Sequence, residues 1–260
     1  MMMKKVIVFL LFFFMRISPC LAAVTFDGVD DYINCGTSST LNFATSTSTF
    51  TLAAWVKATS YTFTFNGVVS KWLGTGSQRS WGFGVNNTDE VRFIISTDGA
   101  TTAMGLITTG GTFSLNQWYH IAVTADVGSD TYLIYVDGTA KSTTGSTTIS
   151  NAFSSTASVN IGSQKDGTDD LFTGTIEDVR VYNRALSAAE VEILAKSRLK
   201  YAPVTSGLVG YWPMDDCGDG TSGDGDTFVD RSGTGNSGTG VDGANNTGLT
   251  CRGSSYLSYP

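Results

Sequence analysis

The 260-residue sequence has few of the side chains on which acid-base and nucleophilic catalysis depend. It contains one histidine, His120, and four glutamates: Glu90, Glu177, Glu190 and Glu192. His120 lies in an alternating segment typical of a strand, where a structural histidine is the simplest interpretation. Glu190 and Glu192 fall in a predicted helix, where residues i and i+2 point apart. The sequence therefore predicts a protein that is not an enzyme.

Basic residues are also scarce. The chain has 16 lysines and arginines against 23 aspartates and glutamates. Three of the basic residues lie in the first 23 positions, which contain no acid, so the rest of the chain carries 13 basic and 23 acidic residues. A chain this acidic would repel the phosphate backbone. We therefore expect no nucleic-acid partner.

Long apolar runs are missing after the N-terminus. The one such run, Val6–Met15, is about half of the roughly 20 residues that a membrane span needs. It follows two lysines and precedes two small residues, which is typical of a signal peptide over residues 1–23, cleaved after Ala22 or Ala23. A lipoprotein anchor at Cys20 is the competing interpretation. We expect a secreted or cell-surface protein, in the bacterial periplasm or outside the cell, with no membrane span.

Three cysteines remain beyond the predicted signal peptide: Cys35, Cys217 and Cys251. An exported protein can form disulfides, and Cys217 and Cys251 share one glycine-rich segment, so we predict that these two pair. Cys35 lies inside an apparent strand, where a buried, inert thiol is expected.

Strand-forming residues dominate the chain from Thr25 to about Tyr182, which is rich in Thr, Val, Ile and aromatics and is cut into short runs by turn residues. An Asp137-Gly138 pair predicts a tight hairpin that requires positive φ. Ten strands are predicted, at Tyr32–Cys35, Phe50–Lys57, Gly67–Lys71, Trp81–Val85, Val91–Ile95, Ala103–Thr108, Trp118–Asp126, Thr131–Val136, Ser158–Gly162 and Thr173–Tyr182. This pattern predicts an all-β sandwich.

One helix is predicted, from Ala188 to about Lys200. Ser187 precedes it and Glu190 follows three residues later, which is the capping-box pattern. Val191 and Leu194 would form part of the face that docks on the sandwich. A structural role is sufficient for this helix.

The composition changes after Pro203. Residues 215–255 are mostly Gly, Asp, Ser, Thr and Asn, which predicts loop or disorder. The exception is Gly207–Pro213, which is apolar enough to form a strand. We therefore divide the chain into a signal peptide at 1–23, a β domain at 24–200 and a tail at 201–260.

Four ordered stretches resemble the laminin G-like, concanavalin A-like jelly-roll family over about residues 25–195. They are Phe26–Ile33; Phe50–Lys57; Trp118–Thr124 with Tyr135–Gly138; and Ile161–Gly162 with Phe172–Ser187. The resemblance implies a two-sheet antiparallel jelly roll. This fold hosts lectins, adhesins and glycosidase accessory domains, so it specifies function poorly. A glycoside hydrolase or lyase is the enzymatic alternative, but retaining glycosidases of this fold carry a run such as Glu-x-Asp-x-x-Glu, which is missing here.

The tail resembles the beginning of a second repeat. Gly207–Trp212 is similar to the family's opening strand, which usually precedes the Phe-Asp-Gly motif. The tail is either a truncated repeat or a segment that folds back to complete the first sandwich. Since the apolar strand must bury Leu208, Val209 and Trp212, we expect it to dock on the first domain.

Ligand-binding candidates lie in and beside the loop at 58–82. Sugars stack their C–H faces on aromatic rings, while amide and guanidinium groups bind hydroxyls. The candidates are Trp72, Trp81, Tyr61, Asn66 and Arg79. The alternative is that Trp81 and its aromatic neighbours line the core, whereas Trp72 is the best candidate for exposure. We expect a carbohydrate or an extracellular surface partner; the alternative is a structural or adhesive repeat.

A calcium site is predicted from the resemblance and from a break in alternation. Ile176 and Val179 are three residues apart, so a bulge at Glu177-Asp178 would restore the pattern and redirect one carboxylate. The resemblance implies a calcium ion near this strand, because many members of the family hold one there. The predicted ligands are Asp27, Asp30, Asp31, Glu177 and Asp178, with Asp30 and Asp178 foremost, because calcium binds six to eight oxygens. The alternative is that the first three aspartates only form turns. Asp215–Asp230 is a weaker candidate segment.

Overall fold

The computed structural model describes residues 23–102, 104–110, 113–145, 149, 151–165, 167–197, 204–218, 220–243 and 248–252. The predicted signal peptide lies outside these residues, apart from Ala23. The strands are β1 (Ala23–Asp27), β2 (Tyr32–Asn34), β3 (Thr49–Ser60), β4 (Asn66–Leu73), β5 (Gln78–Val85), β6 (Val91–Ile95), β7 (Met104–Thr108), β8 (Tyr119–Asp126), β9 (Thr131–Val136), β10 (Thr139–Ala140), β11 (Thr143–Gly145), β12 (Val159–Ile161), β13 (Thr173–Tyr182), β14 (Leu208–Trp212), β15 (Thr227–Phe228), β16 (Gly238–Val241) and β17 (Thr250–Arg252). One helix, α1 (Ala188–Lys196), and a short 3-10 turn (Ser39–Leu41) complete the described elements.

Two antiparallel sheets face each other. The first sheet has the order β10-β9-β8-β3-β13-β1-β17, with β14 also paired to β13. The second sheet has the order β11-β7-β6-β5-β4-β12-β2-β16-β15. This arrangement confirms the predicted two-sheet antiparallel sandwich, and the ten predicted strands all coincide with observed ones.

Alternation of side chains along the strands builds the core between the sheets. On β3, Phe50 and Leu52 point into the core while Ala53 packs on the opposite face. Trp81 and Phe83 on β5 enter the same core from the second sheet. Because strand residues alternate between faces, each strand also presents a second set of side chains on the outside of its sheet.

Helix α1 covers part of the outer face of the first sheet. Ser187 and Glu190 form the predicted capping box. The buried Val191 and Leu194 pack in one cluster with Ala53 and other residues of that face. The last predicted residues of the helix, 198–200, lie outside the described residues.

The tail adds strands to both sheets of the sandwich. Strand β14 pairs with the second half of β13, and the fully buried Trp212 donates its indole N–H to the carbonyl of Asn236 at 2.9 Å. Strand β16 pairs with β2 in the second sheet, and β17 pairs with β1 in the first. The predicted docking of Gly207–Trp212 is therefore confirmed.

The tail strands also correct an expectation drawn from composition. We expected loop or disorder over residues 215–255, but β15, β16 and β17 lie within that range. Glycine here permits close packing: a Cβ added at Gly240 would lie 2.0 Å from the carbonyl oxygen of Gly223. A glycine-rich composition predicts loop because ordering glycine costs conformational entropy. Composition does not show where glycine lets two backbone segments pack closely.

Two predicted backbone features are present. The register of β13 shifts between Glu177 and Arg180, and Asp178 has a φ of +56°, as expected of a bulge. At the β9–β10 hairpin, Asp137 and Gly138 have φ values of +49° and +76°.

The cysteines follow their predicted assignment. Cys217 and Cys251 form a disulfide with Cα atoms 5.8 Å apart, which links the segment after β14 to β17. Cys35 is a buried thiol, and burial raises its pKa well above the usual value.

Candidate functional site

A cleft of about 260 Å³ lies on the outer face of the second sheet, between β4, β5, β6 and the segment that follows β12. Its apolar side chains are Phe65, Trp72 and Ile94; its polar side chains include Arg79, Arg92, Gln164, Lys165 and Asp170. On β5, glycine occupies an outward position between the core residues Trp81 and Phe83, and a Cβ at Gly82 would lie 3.1–3.2 Å from Ile94 and Gln164. These residues from four parts of the chain meet only through the pairing of the strands.

Two arginines cover the aromatic rings of the cleft. The guanidinium of Arg79 lies 5.9 Å from the centroid of the Trp72 ring, and that of Arg92 lies 5.8 Å from the Phe65 ring. Trp72 is only 4% exposed, so our expectation of an exposed tryptophan is wrong. It packs with Phe65 and Ile94 in a small cluster of its own outside the main core.

Hydrogen-bond donors dominate the polar side of the cleft. Gln164 is 3% exposed, and its Nε2 has no hydrogen-bond partner among the described residues. Lys165 forms ion pairs with Asp169 at 2.7 Å and with Asp170 at 3.0 Å. Burial raises the pKa of Asp170, while Lys165 opposes that shift. The cleft can therefore offer an amide donor and guanidinium donors to a ligand.

The other predicted ligand-binding residues do not line this cleft. Trp81 is fully buried in the main core and donates its indole N–H to the carbonyl of Leu41 at 3.1 Å, as the alternative interpretation held. Asn66 is buried, and its Nδ2 donates to the carbonyls of Phe63 and Val85. Tyr61 is half-buried against the main core. Of the five candidates, only Trp72 and Arg79 belong to the cleft.

An acidic cluster lies where β1 ends and β2 begins. One carboxylate oxygen from each of Asp27, Asp30 and Asp31 lies within 4.8 Å of the others. Asp31 is fully buried; its Oδ2 accepts from the backbone N–H of Asp27 at 2.7 Å, and its Oδ1 has no hydrogen-bond partner among the described residues. The three predicted ligands from this motif are thus brought together.

The tail adds a fourth acid, Asp242, which the sequence did not single out. It is 4% exposed, and its Oδ2 has no described hydrogen-bond partner. Burial raises the pKa of Asp31 to about 8, with Asp27 and Asp242 adding like-charge repulsion. The signal for Asp242 is its Asp-Gly pair, which resembles Asp27-Gly28, but that signal requires knowing that the tail folds back. We call Asp27, Asp30, Asp31 and Asp242 the acidic cluster.

Backbone from the tail closes over the acidic cluster. A Cβ added at Gly243 would lie 2.2 Å from Oδ2 of Asp30. One added at Gly248 would lie 2.5 Å from Oδ2 of Asp31. This enclosed set of acids could hold a metal ion.

The two remaining metal candidates, Glu177 and Asp178, lie elsewhere. Asp27 is opposite Thr173 in the β1–β13 pair and Val24 is opposite Ile176, so Glu177 is level with Ala23, at the other end of β1. Asp178 accepts from the guanidinium of Arg180 at 2.8 and 3.1 Å, and both side chains are buried. The predicted grouping of Asp178 with Asp30 is therefore wrong, because the bulge directs Asp178 toward an arginine.

The weaker candidate segment, Asp215–Asp230, is engaged in structural contacts. Asp215 pairs with Arg231. Asp230 accepts from the backbone N–H groups of Tyr211, Ser232 and Asn236, and the hydrogen bonds from these groups lower its pKa against the effect of burial.

The single histidine is enclosed by the first sheet. His120 is 2% exposed and contacts Trp55 edge-on, with ring centroids 5.5 Å apart. Burial lowers its pKa to about 3, with a smaller contribution from Arg180. His120 is therefore neutral near pH 7.

Several known proteins are similar to this chain. A solved protein of Bacteroides ovatus, named as a candidate carbohydrate-binding protein, has a TM-score of 0.61 at 19% identity, covering 92% of this chain and 61% of that one. A CBM40 of the Ruminococcus gnavus IT-sialidase, bound to α2,3-sialyllactose, has a TM-score of 0.50 at 18% identity, covering 68% of this chain and 99% of that one. These likenesses concern the fold.

The sequence comparisons extend to adhesion proteins. Adhesion G-protein coupled receptor V1 of Danio rerio is 29% identical over 153 residues, which is 56% of this chain and 2% of the receptor. No helix in the described part of this chain has the length and apolar character of a membrane span. The family model described as the concanavalin A-like lectin/glucanases superfamily matches residues 27–192, and the chain belongs to that family.

Proposed function

We propose that this protein is an exported, non-catalytic recognition module that binds carbohydrate in the cleft on the second sheet. The observation that carries the proposal is Gln164, a nearly buried amide whose Nε2 lacks a described partner and lines the cleft. A buried donor left unsatisfied costs about 1–3 kcal/mol, so a ligand oxygen that accepts from it would gain affinity. The fold and the names of its relatives agree with this function.

A glycan-array screen of the full chain with calcium present tests this proposal. Binding should weaken about tenfold in Gln164→Ala, because one hydrogen bond is lost. Gln117→Ala is the matched control, since Gln117 is exposed and lies outside the cleft. Silence across the array would instead favour the alternative, a structural or adhesive repeat.

We also propose that the acidic cluster binds calcium. The residues that support this proposal are Asp31 and Asp242. Each is nearly or fully buried, and each has a carboxylate oxygen with no hydrogen-bond partner among the described residues. Buried carboxylates facing one another need a cation or a proton. The four acids and the enclosing tail would supply oxygens to an ion that takes six to eight.

Calorimetry of chelator-treated protein tests the calcium site. Wild-type protein should bind one calcium ion, and Asp242→Asn should bind it about tenfold or more weakly. Glu192→Gln, which removes an exposed acid from α1, should bind like wild type. If the chelated protein takes up no calcium, the site does not exist.

A further inference from the structure

We infer that the cleft selects a saccharide carrying a carboxylate, which would be bound by the guanidinium groups of Arg79 and Arg92. This inference rests on the proposed function and names its ligand class. It departs from the sequence-based expectation that a sugar stacks on an exposed tryptophan.

Positive charge is concentrated in the cleft although the chain has a net charge of −7. Lys165 is paired with Asp169 and Asp170. Among the described residues, neither Arg79 nor Arg92 forms an ion pair; each donates to a backbone carbonyl, of Ala100 and Thr64 respectively. Arg92 also attracts the Asp170 carboxylate, so Arg79, Arg92 and Lys165 against Asp169 and Asp170 leave the cleft with one net positive charge, which a ligand anion can match.

The aromatic rings serve to position these arginines. Trp72 is 4% exposed and Phe65 is 3% exposed, so little ring area remains for the face of a sugar. Each ring instead supports one guanidinium at a cation–π distance. An arginine held in this way loses less side-chain freedom when it binds, and its planar fork of donors matches a carboxylate.

Two donors of the cleft, one on a neutral amide and one on a charged guanidinium, also favour a ligand rich in acceptors. Gln164 Nε2 and Arg92 Nε both lack described hydrogen-bond partners. A ligand must therefore bring acceptors, and a carboxylate together with sugar hydroxyls brings them. The volume of about 260 Å³ lies just below the usual range for small-molecule sites, about 300–1,000 Å³, which suits a single sugar residue.

Matched pairs of glycans test the ligand class. Titrations of the full chain would compare 3'-sialyllactose with lactose and oligogalacturonate with its methyl ester, and would include a sulfated galactan oligosaccharide. We expect a carboxylated member to bind about 10- to 100-fold more tightly than its neutral partner, because charge-assisted hydrogen bonds are lost with the charge. Binding should also weaken as salt is raised.

The outcomes separate this inference from the proposed function. Equal binding of neutral and carboxylated partners, sensitive to Gln164→Ala, would overturn the inference and support carbohydrate binding. Preference for the sulfated probe over every carboxylated one would also overturn it. If no glycan binds, the proposed function fails as well.

Arginine variants locate the selectivity in the cleft. R79Q and R92Q should each lose about tenfold or more affinity for the carboxylated probe and little for its neutral partner. The affinities of R79K and R92K for the carboxylated probe should lie between those of the glutamine variants and that of wild type, because lysine keeps the charge but lacks the planar fork of donors. K196Q, on the exposed face of α1, is the control, because it removes one positive charge as R79Q and R92Q do, but outside the cleft. Thermal unfolding checks that each variant folds, and unchanged selectivity in folded R79Q and R92Q would overturn the assignment.

Discussion

Two groups of buried acids lie beyond opposite ends of β1, and their charges are compensated in different ways. Asp178, at the bulge of β13, finds Arg180 at 2.8 Å, and the arginine in turn lies 4.7 Å from the ring of Tyr211. Asp31, at the other end, has no cation beside it among the described residues: burial raises its pKa, the backbone N–H of Asp27 lowers it, and the carboxylates of Asp27 and Asp242 raise it. One group contains its own cation, and the other requires a cation or a proton from solution.

The tail contributes to both groups. Tyr211 on β14 covers Arg180, and Asp242 after β16 joins the acidic cluster. The tail, of which composition assigned residues 215–255 to loop, thus contributes to the electrostatics at both ends of β1. Similar aspartates have different roles because of the residue that folding places opposite them.

Removing the tail changes both groups of acids and should have the largest effect on stability. Deletion of residues 204–260 should lower the free energy of unfolding by several kcal/mol, because burying a side chain such as Val209 or Trp212 contributes about 1.5–3 kcal/mol. A chain that ends at Arg252 keeps β14 to β17, the tail strands that the structure describes, and should unfold like the full chain. Chemical denaturation measures the difference, and an unchanged midpoint in the deletion would contradict the shared core.

Replacing Arg180, the cation beside Asp178, should have the next largest effect on stability. Arg180→Leu should cost about 3–5 kcal/mol, because it removes the guanidinium that compensates the buried charge of Asp178. Adding Asp178→Asn to that variant should recover part of the loss. Lys196→Gln breaks an exposed ion pair and should cost less than about 1 kcal/mol. Equal losses from the two single variants would show that the buried pair contributes no more than an exposed one.

Calcium should stabilise the other group by a smaller amount. At a concentration about 100 times its Kd, a bound ion adds about 2.7 kcal/mol to the free energy of unfolding. The melting temperature of chelated protein should therefore rise on addition of calcium, and Asp242→Asn should reduce the rise. Arg180→Leu leaves the acidic cluster intact, so this variant should show the same rise in melting temperature as wild type. A rise that survives Asp242→Asn would assign the ion to another place.

The strands and the helix were predictable because alternation, turn residues and a capping box are local signals. The disulfide and the bulge at Asp178 were also predictable. The partners of Asp178 and Asp31 were not, because Arg180 and Asp242 are placed opposite them by the bulge and by the returning tail. Gln164 and Arg92 are 72 positions apart in sequence and meet through the pairing of β12, β4, β5 and β6. Local pattern also could not show that two arginines would cover the aromatic rings.

The pH dependence of stability should report on His120, which lies near the end of β1 where Arg180 pairs with Asp178. His120 faces Trp55 and Arg180 there, and its folded-state pKa of about 3 lies below the ordinary value of 6.5. Between those values the unfolded chain binds more protons than the folded one, so stability is fully present above pH 6.5 and is lost as the pH falls toward 3. Denaturation at pH 7 and pH 4 should show a loss of about 3 kcal/mol from this residue. His120→Gln should flatten that slope relative to wild type, whereas Asp242→Asn should leave the contribution of His120 in place. An unchanged slope in His120→Gln would mean that the histidine is as accessible to protons in the folded protein as in the unfolded chain.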